Sequence, residues 1–435
     1  MLHTLVLLAL AQVADPSAAR TLTLEQAFGL ADTNHVDVQL ADLSLQQAAQ
    51  DEKGSYAGIL PRADLAAQLS KSYSKNNQVL IENGAAVPVT SGWVPTFWGA
   101  QLTAQQNIID GGKWWTRISK GHADREAAEA QLAEARLQAH QTVGHLFYEL
   151  VRAGRSLEIL QVNVQRSQEQ VDRAQALFEA GRGPKSDYYA AQVNLANDEI
   201  AVAQQRAKTD VARNNLNIAL GQAAEQPIDA KPPDLSARPA TVNASQADEQ
   251  ALKARPGLAA LRKQIDSSGM TITLAKGDYY PALNASLMYQ YQRAPAGVVT
   301  DNAPWNNYTA TGSLNLQWNL FNGRSTDVAV QKAELAQSAA RVNLIKSERQ
   351  VTQDTETAVR TLTVNLEALS LAEKANQAAN LGLQLAQERF KAGAASNLEV
   401  RDAQLKLTSA ELNLVSTQID VHLADLDVRA AEGAL

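Results

Sequence analysis

The feature that most constrains this chain is that its plan is written twice. LTAQQNIIDGG (102–112) aligns with LNLQWNLFNGR (314–324), and the same offset of 212 residues aligns LFEAGRGPKSDYYAAQVNL (177–195) with RFKAGAASNLEVRDAQLKL (389–407). Gln138 and Gln141 fall on Gln350 and Gln353 in the same register. Upstream, GILPRADLAAQL (58–69) resembles DYYPALNASLMY (278–289) at an offset of 220, so the first half carries eight extra residues between its two strands. A fold for this chain has to contain one arrangement of elements in two copies.

Each half begins with a helical stretch (24–57, then 246–277) and continues with two alternating strands. A very long helix follows (113–180, then 325–392), then a glycine turn and a second long helix (186–220, then 397–431). The long stretches are rich in Ala, Gln, Glu, Leu and Arg, which are strong helix formers, and no proline interrupts them. Unbroken, such a helix reaches roughly 100 Å at 1.5 Å per residue; Gly144, Gly154 and Gly382 are the points where bending is expected. In the last helix Leu398, Leu405, Leu412, Ile419 and Leu426 recur every seven residues, as do Val400, Leu407, Leu414, Val421 and Val428. Ala403, Ala410 and Ala424 add a third stripe, so the helix expects coiled-coil partners on two sides. The resulting division is 1–19 signal peptide, 20–220 first repeat (strands about 61–75 and 96–110, hairpin 113–220), 221–245 connector and 246–435 second repeat (strands about 281–292 and 308–321, hairpin 325–431). The connector holds four prolines and reads as lacking regular structure.

The duplication also disposes of a tempting motif. GRGPKS (181–186) has the ingredients of a phosphate cradle, but its second copy, GAASNL (393–398), keeps only the first glycine. A phosphate loop needs GxxxxGK[ST] after a buried strand, whereas this segment follows a long helix. It is a turn.

Composition narrows the function. The net charge of −7 argues against a nucleic-acid partner, which needs a basic surface. Cysteine is absent, which removes disulfides, thiolate metal sites, a cysteine nucleophile and a lipid anchor on an N-terminal cysteine. The start, MLHTLVLLALA, reads as a signal segment with cleavage after Ala11 or Ala19; a buried strand is the other reading. No other apolar run reaches the ~18–20 residues of a membrane helix. His140 and His145 lack the spacing of a metal-hydrolase motif, no nucleophile triad stands in a recognisable context, and neither catalysis nor a cofactor is expected.

The four strands alternate with period two. Ala63, Leu65, Ala67 and Leu69 face away from Arg62, Asp64 and Gln68; Trp98, Ala100, Leu102 and Ala104 face away from Gln101, Thr103 and Gln105. In the second half Leu283, Ala285, Leu287, Tyr289 and Tyr291 oppose Asn284, Ser286 and Gln290, and Tyr308, Ala310, Gly312, Leu314, Leu316, Trp318 and Leu320 oppose Thr309 to Asn319. An amphipathic sheet on a soluble core gives this pattern, but a chain of rods supplies no such core. A membrane strand of ~9–11 residues, apolar outside and wet inside, fits better. Leu65, Leu102, Leu287, Leu314 and Leu316 are then lipid-facing, and Trp93, Trp98, Tyr289, Tyr291, Trp305 and Tyr308 form an interfacial girdle near the strand ends. Four strands cannot close, and open edges are not tolerated in lipid. An oligomer contributing four strands per chain is required; a trimer gives twelve.

With these residues in view, the sequence resembles the TolC-like outer-membrane efflux protein family. The resemblance rests on the duplicated plan, on the two F-x-A-G turns (Phe178–Gly181, Phe390–Gly393) each followed by A-Q (Ala191–Gln192, Ala403–Gln404), and on the strand-to-helix joint LQWNLFNGR (316–324), matched by Gly111–Gly112. It implies a mainly α fold with a transmembrane β-barrel portion: a homotrimer with a twelve-stranded barrel in outer-membrane lipid and a long helical barrel through the periplasm. By the same resemblance, the hairpin turns dock on a periplasmic adaptor (membrane fusion) protein coupled to an inner-membrane pump of RND or ABC type. The docking residues are Gly181, Arg182, Gly183 and Pro184 in the first turn and Gly393, Ala394, Ala395 and Ser396 in the second. The function implied is an outer-membrane channel subunit of a tripartite efflux or type I secretion system. A periplasmic coiled-coil adaptor or a structural envelope protein is the competing reading.

Asp187 and its offset partner Glu399 open the two return helices, and Asp402 lies one turn further. In the family, acidic residues matching Glu399 and Asp402 ring the constricted entrance, while the family's usual basic neighbour is replaced here by Ala395. Ser396-x-x-Glu399 also reads as a capping box, which would give Glu399 a purely structural role. Likewise, the two glycines can be helix C-caps and nothing more.

Overall fold

A computed structural model of the protein describes residues 20–71, 76–82, 85–91, 97–294 and 305–435. The segment 1–19 and Trp93 lie outside the described residues, as does the side chain of Trp305. In chain order the elements are β1 (Arg20–Leu22), α1 (Leu24–Asn34), α2 (Val36–Ser55), β2 (Arg62–Ser70), β3 (Asn76–Glu82), β4 (Ala85–Ser91), β5 (Phe97–Asp110), α3 (Lys113–Glu179) and α4 (Lys185–Ala219). The second half gives β6 (Ile228–Ala230), α5 (Ala244–Ala254), α6 (Pro256–Lys276), β7 (Ala282–Ala294), β8 (Trp305–Gln317), α7 (Ser325–Lys391) and α8 (Asn397–Glu432). No helix among the described residues is long and apolar enough to cross a membrane.

The first helical stretch of each half is broken at matched positions. His35 and Arg255, 220 residues apart, leave the helix with φ −64° and ψ 130° and 118°. Pro256 explains the second break, because the residue before proline is pushed out of the helical region. The first has no proline; there the His35 ring takes over the next helix start, its Nδ1 accepting the Asp37 N–H at 3.3 Å. α3 and α7 run unbroken through Gly144, Gly154 and Gly382, and Gly144 provides the space into which Leu426 packs.

The described residues form two compact units assembled from both repeats: those within 20–44, 129–260 and 345–435 in one, those within 45–128 and 261–344 in the other. The core of the first gathers Leu22, Ala27 and Ala31 with Val143, Phe147 and Leu150 of α3, Leu216 and Leu220 at the end of α4, and Ile419 and Leu426 of α8. Its second-repeat counterpart joins Ala247 of α5 to Leu362 and Leu369 of α7 and Val421 and Val428 of α8. The connector departs from the reading above: Ile228–Ala230 forms a strand parallel to Arg20–Leu22. Its IDA sequence buries Ile228 and Ala230 and leaves Asp229 outside, so three alternating residues suffice for a pairing that the surrounding prolines obscured.

The second unit holds a four-stranded antiparallel sheet in the order β2-β5-β7-β8. Its register sorts the side chains into two faces. Leu65–Leu102–Tyr289–Ala310 and Ala63–Ala104–Leu287–Gly312 form cross-strand rows on one face. Ala66–Gln101–Gln290–Thr309 and Asn107–Asn284–Asn315 form rows on the other. A bulge between Asn107 and Ile109 keeps β5 in phase with β7 past that point. β8 ends at Gln317, so Trp318 and Leu320, read above as strand residues, lie just beyond it. The eight-residue excess of the first half contributes to a hairpin, β3 with β4, that pairs with itself.

Candidate channel entrance at the hairpin turns

The two turns are the same backbone object. In the first, the Arg182 N–H donates to the Leu177 carbonyl at 2.8 Å and the Gly181 N–H to Phe178 at 2.9 Å; in the second, Ala394 donates to Arg389 at 2.8 Å and Gly393 to Phe390 at 3.0 Å. This pair of bonds, spanning six and four residues, is the Schellman closure of a helix, and it requires a left-handed residue at its pivot. Gly181 and Gly393 supply it, at φ +70° and +73°. The phenylalanine of F-x-A-G contributes the carbonyl that receives the glycine N–H, and Phe390 also packs on the apolar layer behind the turn. That layer repeats position by position: Val171, Ala174, Tyr188, Ala191 and Leu195 in the first hairpin correspond to Leu383, Ala386, Val400, Ala403 and Leu407 in the second.

The side chains on this shared frame differ. α4 starts from Pro184, which caps without a side-chain hydrogen bond, and Asp187 stands in its first turn. α8 starts from Ser396, whose hydroxyl accepts the Glu399 N–H at 3.3 Å. The capping box is only half made. Instead of reaching back to the Ser396 N–H, the Glu399 carboxylate takes a hydrogen bond from Arg389 in the last turn of α7. Arg389 also donates to the Ala394 carbonyl at 3.2 Å and so straps the turn from within. Asp402, exposed on the next turn, pairs with Lys406 at 2.7 Å. Gly181, Arg182, Pro184, Gly393, Ala394 and Ser396 are exposed, Gly183 and Ala395 partly so.

Asp187 is brought to the start of the other return helix: it lines a cleft of ≈ 450 Å³ with Asn397, Leu398, Arg401 and Gln404. In the cleft wall, Arg401 grips the Asp198 carboxylate with both terminal guanidinium nitrogens, at 2.8 and 3.0 Å. Ser167 of α3 donates to the same carboxylate at 2.5 Å. Asp198 is 8% exposed and Ser167 2%. Further along, Thr408 donates to Asn163 at 3.0 Å, Arg166 meets Glu411 at 3.2 Å and Arg152 meets Asp420 at 2.6 Å, so α8 is tied to the first hairpin by a polar ladder. Sequence reasoning did not single out Arg389, Lys406, Arg401, Asp198 or Ser167. Asp402–Lys406 was legible as an i, i+4 pair; Arg401 and Asp198 are 203 residues apart and leave no local signal.

A second polar cluster lies on α3 and α8, where the Asp427 carboxylate meets His145 Nε2 at 2.7 Å and Gln141 Nε2 at 2.8 Å. The hydrogen bond that His145 donates to Asp427 holds the imidazole above its ordinary value, against the opposing pull of burial. Burial alone would raise Asp427, but the bonds from His145 and Gln141 together with the nearby charge outweigh it and leave the carboxyl below its usual range.

In the other unit, Leu65, Leu102, Leu287, Leu314 and Leu316 all lie on the one apolar face of the sheet, and all are exposed. Trp98, Tyr289, Tyr291 and Tyr308 share that face; Trp98 meets Tyr291 edge-on with ring centres 5.0 Å apart.

This duplicated arrangement has counterparts among known proteins. The chain is 26% identical over 399 residues to the cobalt-zinc-cadmium resistance protein CzcC of Cupriavidus metallidurans, which covers 90% of this chain and 85% of that protein. It is 23% identical over 380 residues to the outer membrane protein TolC of Vibrio cholerae, covering 85% and 82%. The structure of the Campylobacter jejuni CmeC outer membrane channel superposes with a TM-score of 0.74 at 17% identity, over 94% of this chain and 85% of that one. The outer membrane efflux protein profile matches residues 28–222 and 248–434, one stretch for each repeat. The chain belongs to the outer membrane efflux protein family.

Proposed function

We propose that the protein is the outer-membrane channel subunit of a tripartite efflux system, working as a homotrimer that extends from the outer membrane into the periplasm. The observation that carries this reading is the four-stranded sheet: its edge strands β2 and β8 have no further partner among the described residues, and one face gathers the apolar side chains and leaves its leucines Leu65, Leu102, Leu287, Leu314 and Leu316 exposed. An open apolar sheet is unstable in water and in lipid alike unless it closes. Three copies close it with twelve strands. The heptad stripes support the same assembly. Val400, Leu407, Val421 and Val428 are buried within the chain, whereas Leu398 and Leu405, and Val193 and Ile200 on α4, remain exposed at a spacing of seven. Neighbouring copies are the natural cover for such faces.

In this reading the hairpin turns face a periplasmic adaptor coupled to an RND or ABC pump, and Asp187, Glu399 and Asp402 line the entrance. The acidic entrance suits cationic cargo, which accords with the name of the CzcC relative. Ala394 is the position for the test, because its side chain is exposed while its backbone closes the turn. Ala394→Arg, with Arg182→Glu in the other turn, is expected to leave yield and outer-membrane fractionation unchanged while abolishing efflux and crosslinking to the adaptor. Efflux at the wild-type level in both variants would remove the turns from the docking surface.

A further inference from the structure

The cleft between the two hairpins holds more polar groups than its own walls satisfy. It measures ≈ 450 Å³ and is built by one chain, within the unit that carries both turns. Five carboxamide side chains line it: Gln170 of α3, Asn194 and Asn197 of α4, and Asn397 and Gln404 of α8. Among the described residues none of the five side chains has a hydrogen-bond partner. Gln404 is the clearest case, 1% exposed with an unpartnered Oε1, and an unpaired buried acceptor destabilises a fold. One turn earlier, Arg401 commits its terminal nitrogens to Asp198 and Ser167, while its Nε is buried without a partner. Asparagine is a poor choice for a helix interior, so Asn194 and Asn197 do not serve the stability of α4. Nor does the duplication produce the cluster. The offset positions hold Gly382, Lys406, Ser409, Lys185 and Gln192, so only the glutamine recurs, and Gln192 is exposed and donates to the Tyr188 hydroxyl at 2.8 Å.

We infer that this cleft is a binding site for a small amino sugar of one or two rings. A carboxamide offers an acceptor oxygen and donor N–H groups, and a hydroxyl, which both donates and accepts, complements it. Gln404 Oε1 needs a donor and Arg401 Nε–H an acceptor, and the i, i+3 spacing sets the two residues on the same face of α8. A ring that carries several hydroxyls serves both of these groups and the remaining carboxamides at once. Ala190 and Ala191 keep the α4 wall low and leave room for the ring. Charge selects the amino group. Arg401 neutralises Asp198, whereas Asp187 has no ion-pair partner among the described residues. Lys185, two residues before it, lies over the Tyr189 ring at 5.4 Å instead. An ammonium on the sugar therefore meets the one uncompensated carboxylate of the cleft. The volume falls within the usual range of small-ligand sites. Water alone is the competing occupant. Because a single chain supplies every wall, the inference does not rest on the trimeric assembly.

The test is a calorimetric titration of the full chain in detergent. The probe is the β-linked glucosamine disaccharide, and cellobiose is its neutral counterpart, with the same two rings and a hydroxyl in place of each ammonium. Saturable binding of the glucosamine disaccharide at one site per chain is expected, with cellobiose at least about tenfold weaker. Gln404→Leu and Asn194→Ala should each weaken the glucosamine disaccharide at least about tenfold. Asn194 is only partly buried, so Asn194→Ala keeps the test valid where Gln404→Leu disturbs the fold. Asp187→Asn should bring the two sugars to equal affinity. Absence of saturable binding to the wild type would leave the cleft to water and overturn the inference. Wild-type affinity in Gln404→Leu and Asn194→Ala would place the sugar elsewhere on the protein, with the same consequence. Equal affinity of the two sugars for the wild type would remove the ammonium from the recognition, and the inference fails as stated. None of these outcomes touches the channel reading, which efflux and adaptor crosslinking test separately.

Discussion

The two hairpins share a backbone and differ in what they attach to it. Both turns close through the same pair of hydrogen bonds around a left-handed glycine, on the same five-residue apolar layer. Yet Arg401 in the second hairpin corresponds to Tyr189 in the first, while Asp198 and Ser167 correspond to Ala410 and Ala379. The buried clamp therefore exists only once per chain, between the second hairpin and the first. In the proposed trimer the pseudo-equivalent seam lies between copies, where Tyr189 and two alanines replace the charges. Geometry is what the duplication retains; the chemistry of each seam is free to diverge.

The largest effect that separates the hairpins should come from that clamp. Removing one partner of a buried, hydrogen-bonded ion pair strands the other charge and costs about 3–5 kcal/mol. Arg401→Leu is expected to lower the thermal midpoint of the purified protein accordingly. Arg401→Leu with Asp198→Leu should recover most of the loss, because an apolar replacement leaves no orphan charge. Tyr189→Leu, at the matched position, should stay within about 0.5 kcal/mol. Equal losses at 401 and 189 would show that the two seams are energetically alike after all.

The strands provide a comparison in which the repeats should agree. Leu316 and Ala104 are offset partners on the apolar face, and Asn315 and Thr103 are offset partners on the polar one. Arginine on a lipid-facing position costs about 2–4 kcal/mol near the midplane. If that face meets lipid, Leu316→Arg and Ala104→Arg are both expected to reduce assembled protein in outer-membrane fractions, Ala104→Arg near the middle of the sheet more than Leu316→Arg beside the end of β8. Asn315→Arg and Thr103→Arg should be mild. If Ala104→Arg assembles normally, the first repeat turns its strands differently from the second.

How much of this was legible follows from the range of the interactions. Strand alternation, helix length, the glycine turns and the seven-residue stripes are set by neighbours within a few positions, and so they can be read from the chain. The fate of each stripe is not local: Leu398 and Leu405 are exposed while Ile419 and Leu426 of the same stripe are buried, because only the far end of α8 packs into the core with Phe147. The β1–β6 pair escaped notice because three residues are too few to show a period. The Arg389–Glu399 pair joins two helices across a turn and so leaves no i, i+4 signal, and the resemblance places its basic residue at position 395, which is alanine here. The charge had not vanished; it sits six residues earlier, in the last turn of α7.

A smaller difference between the hairpins is expected to depend on pH. His145 and Asp427 correspond to Thr357 and Asn215 in the other half, so only one half carries the titrating pair. His145 is raised, so its contribution is complete below the ordinary imidazole value of about 6.5 and is lost as pH rises through the higher folded value. Asp427 is lowered, so its contribution is complete above about 3.9 and is lost as pH falls through the lower folded value. The pair therefore stabilises most between about pH 4 and 6.5. Both side chains are partly open to solvent, which limits the effect to about 1 kcal/mol or less. Between pH 6 and pH 9 the wild type should lose slightly more stability than His145→Gln; parallel curves would assign the cluster a packing role alone.

The smallest expected change in stability, and the most informative about function, concerns the carboxylates of the proposed entrance. Glu399 is held by Arg389 and Asp402 by Lys406, whereas Asp187 opens on the cleft beside Asn397. Both pairs are largely exposed, so each contributes little to stability, on the order of 0–1 kcal/mol. In a trimer each carboxylate appears three times around a narrow mouth, where focused negative charge favours cations. Glu399→Gln with Asp402→Asn keeps the Ser396 cap, which uses only the backbone N–H of residue 399, and leaves Arg389 and Lys406 unpaired at the same mouth. The entrance should then change from acidic to basic, and planar-bilayer recordings should show reduced cation selectivity and weaker block by divalent ions. Asp187→Asn, which releases no partner cation among the described residues, should act in the same direction but less strongly. If the double variant keeps its selectivity, the pairs are neutral straps on the turn, and the charge that the channel presents to its cargo lies elsewhere along the hairpins.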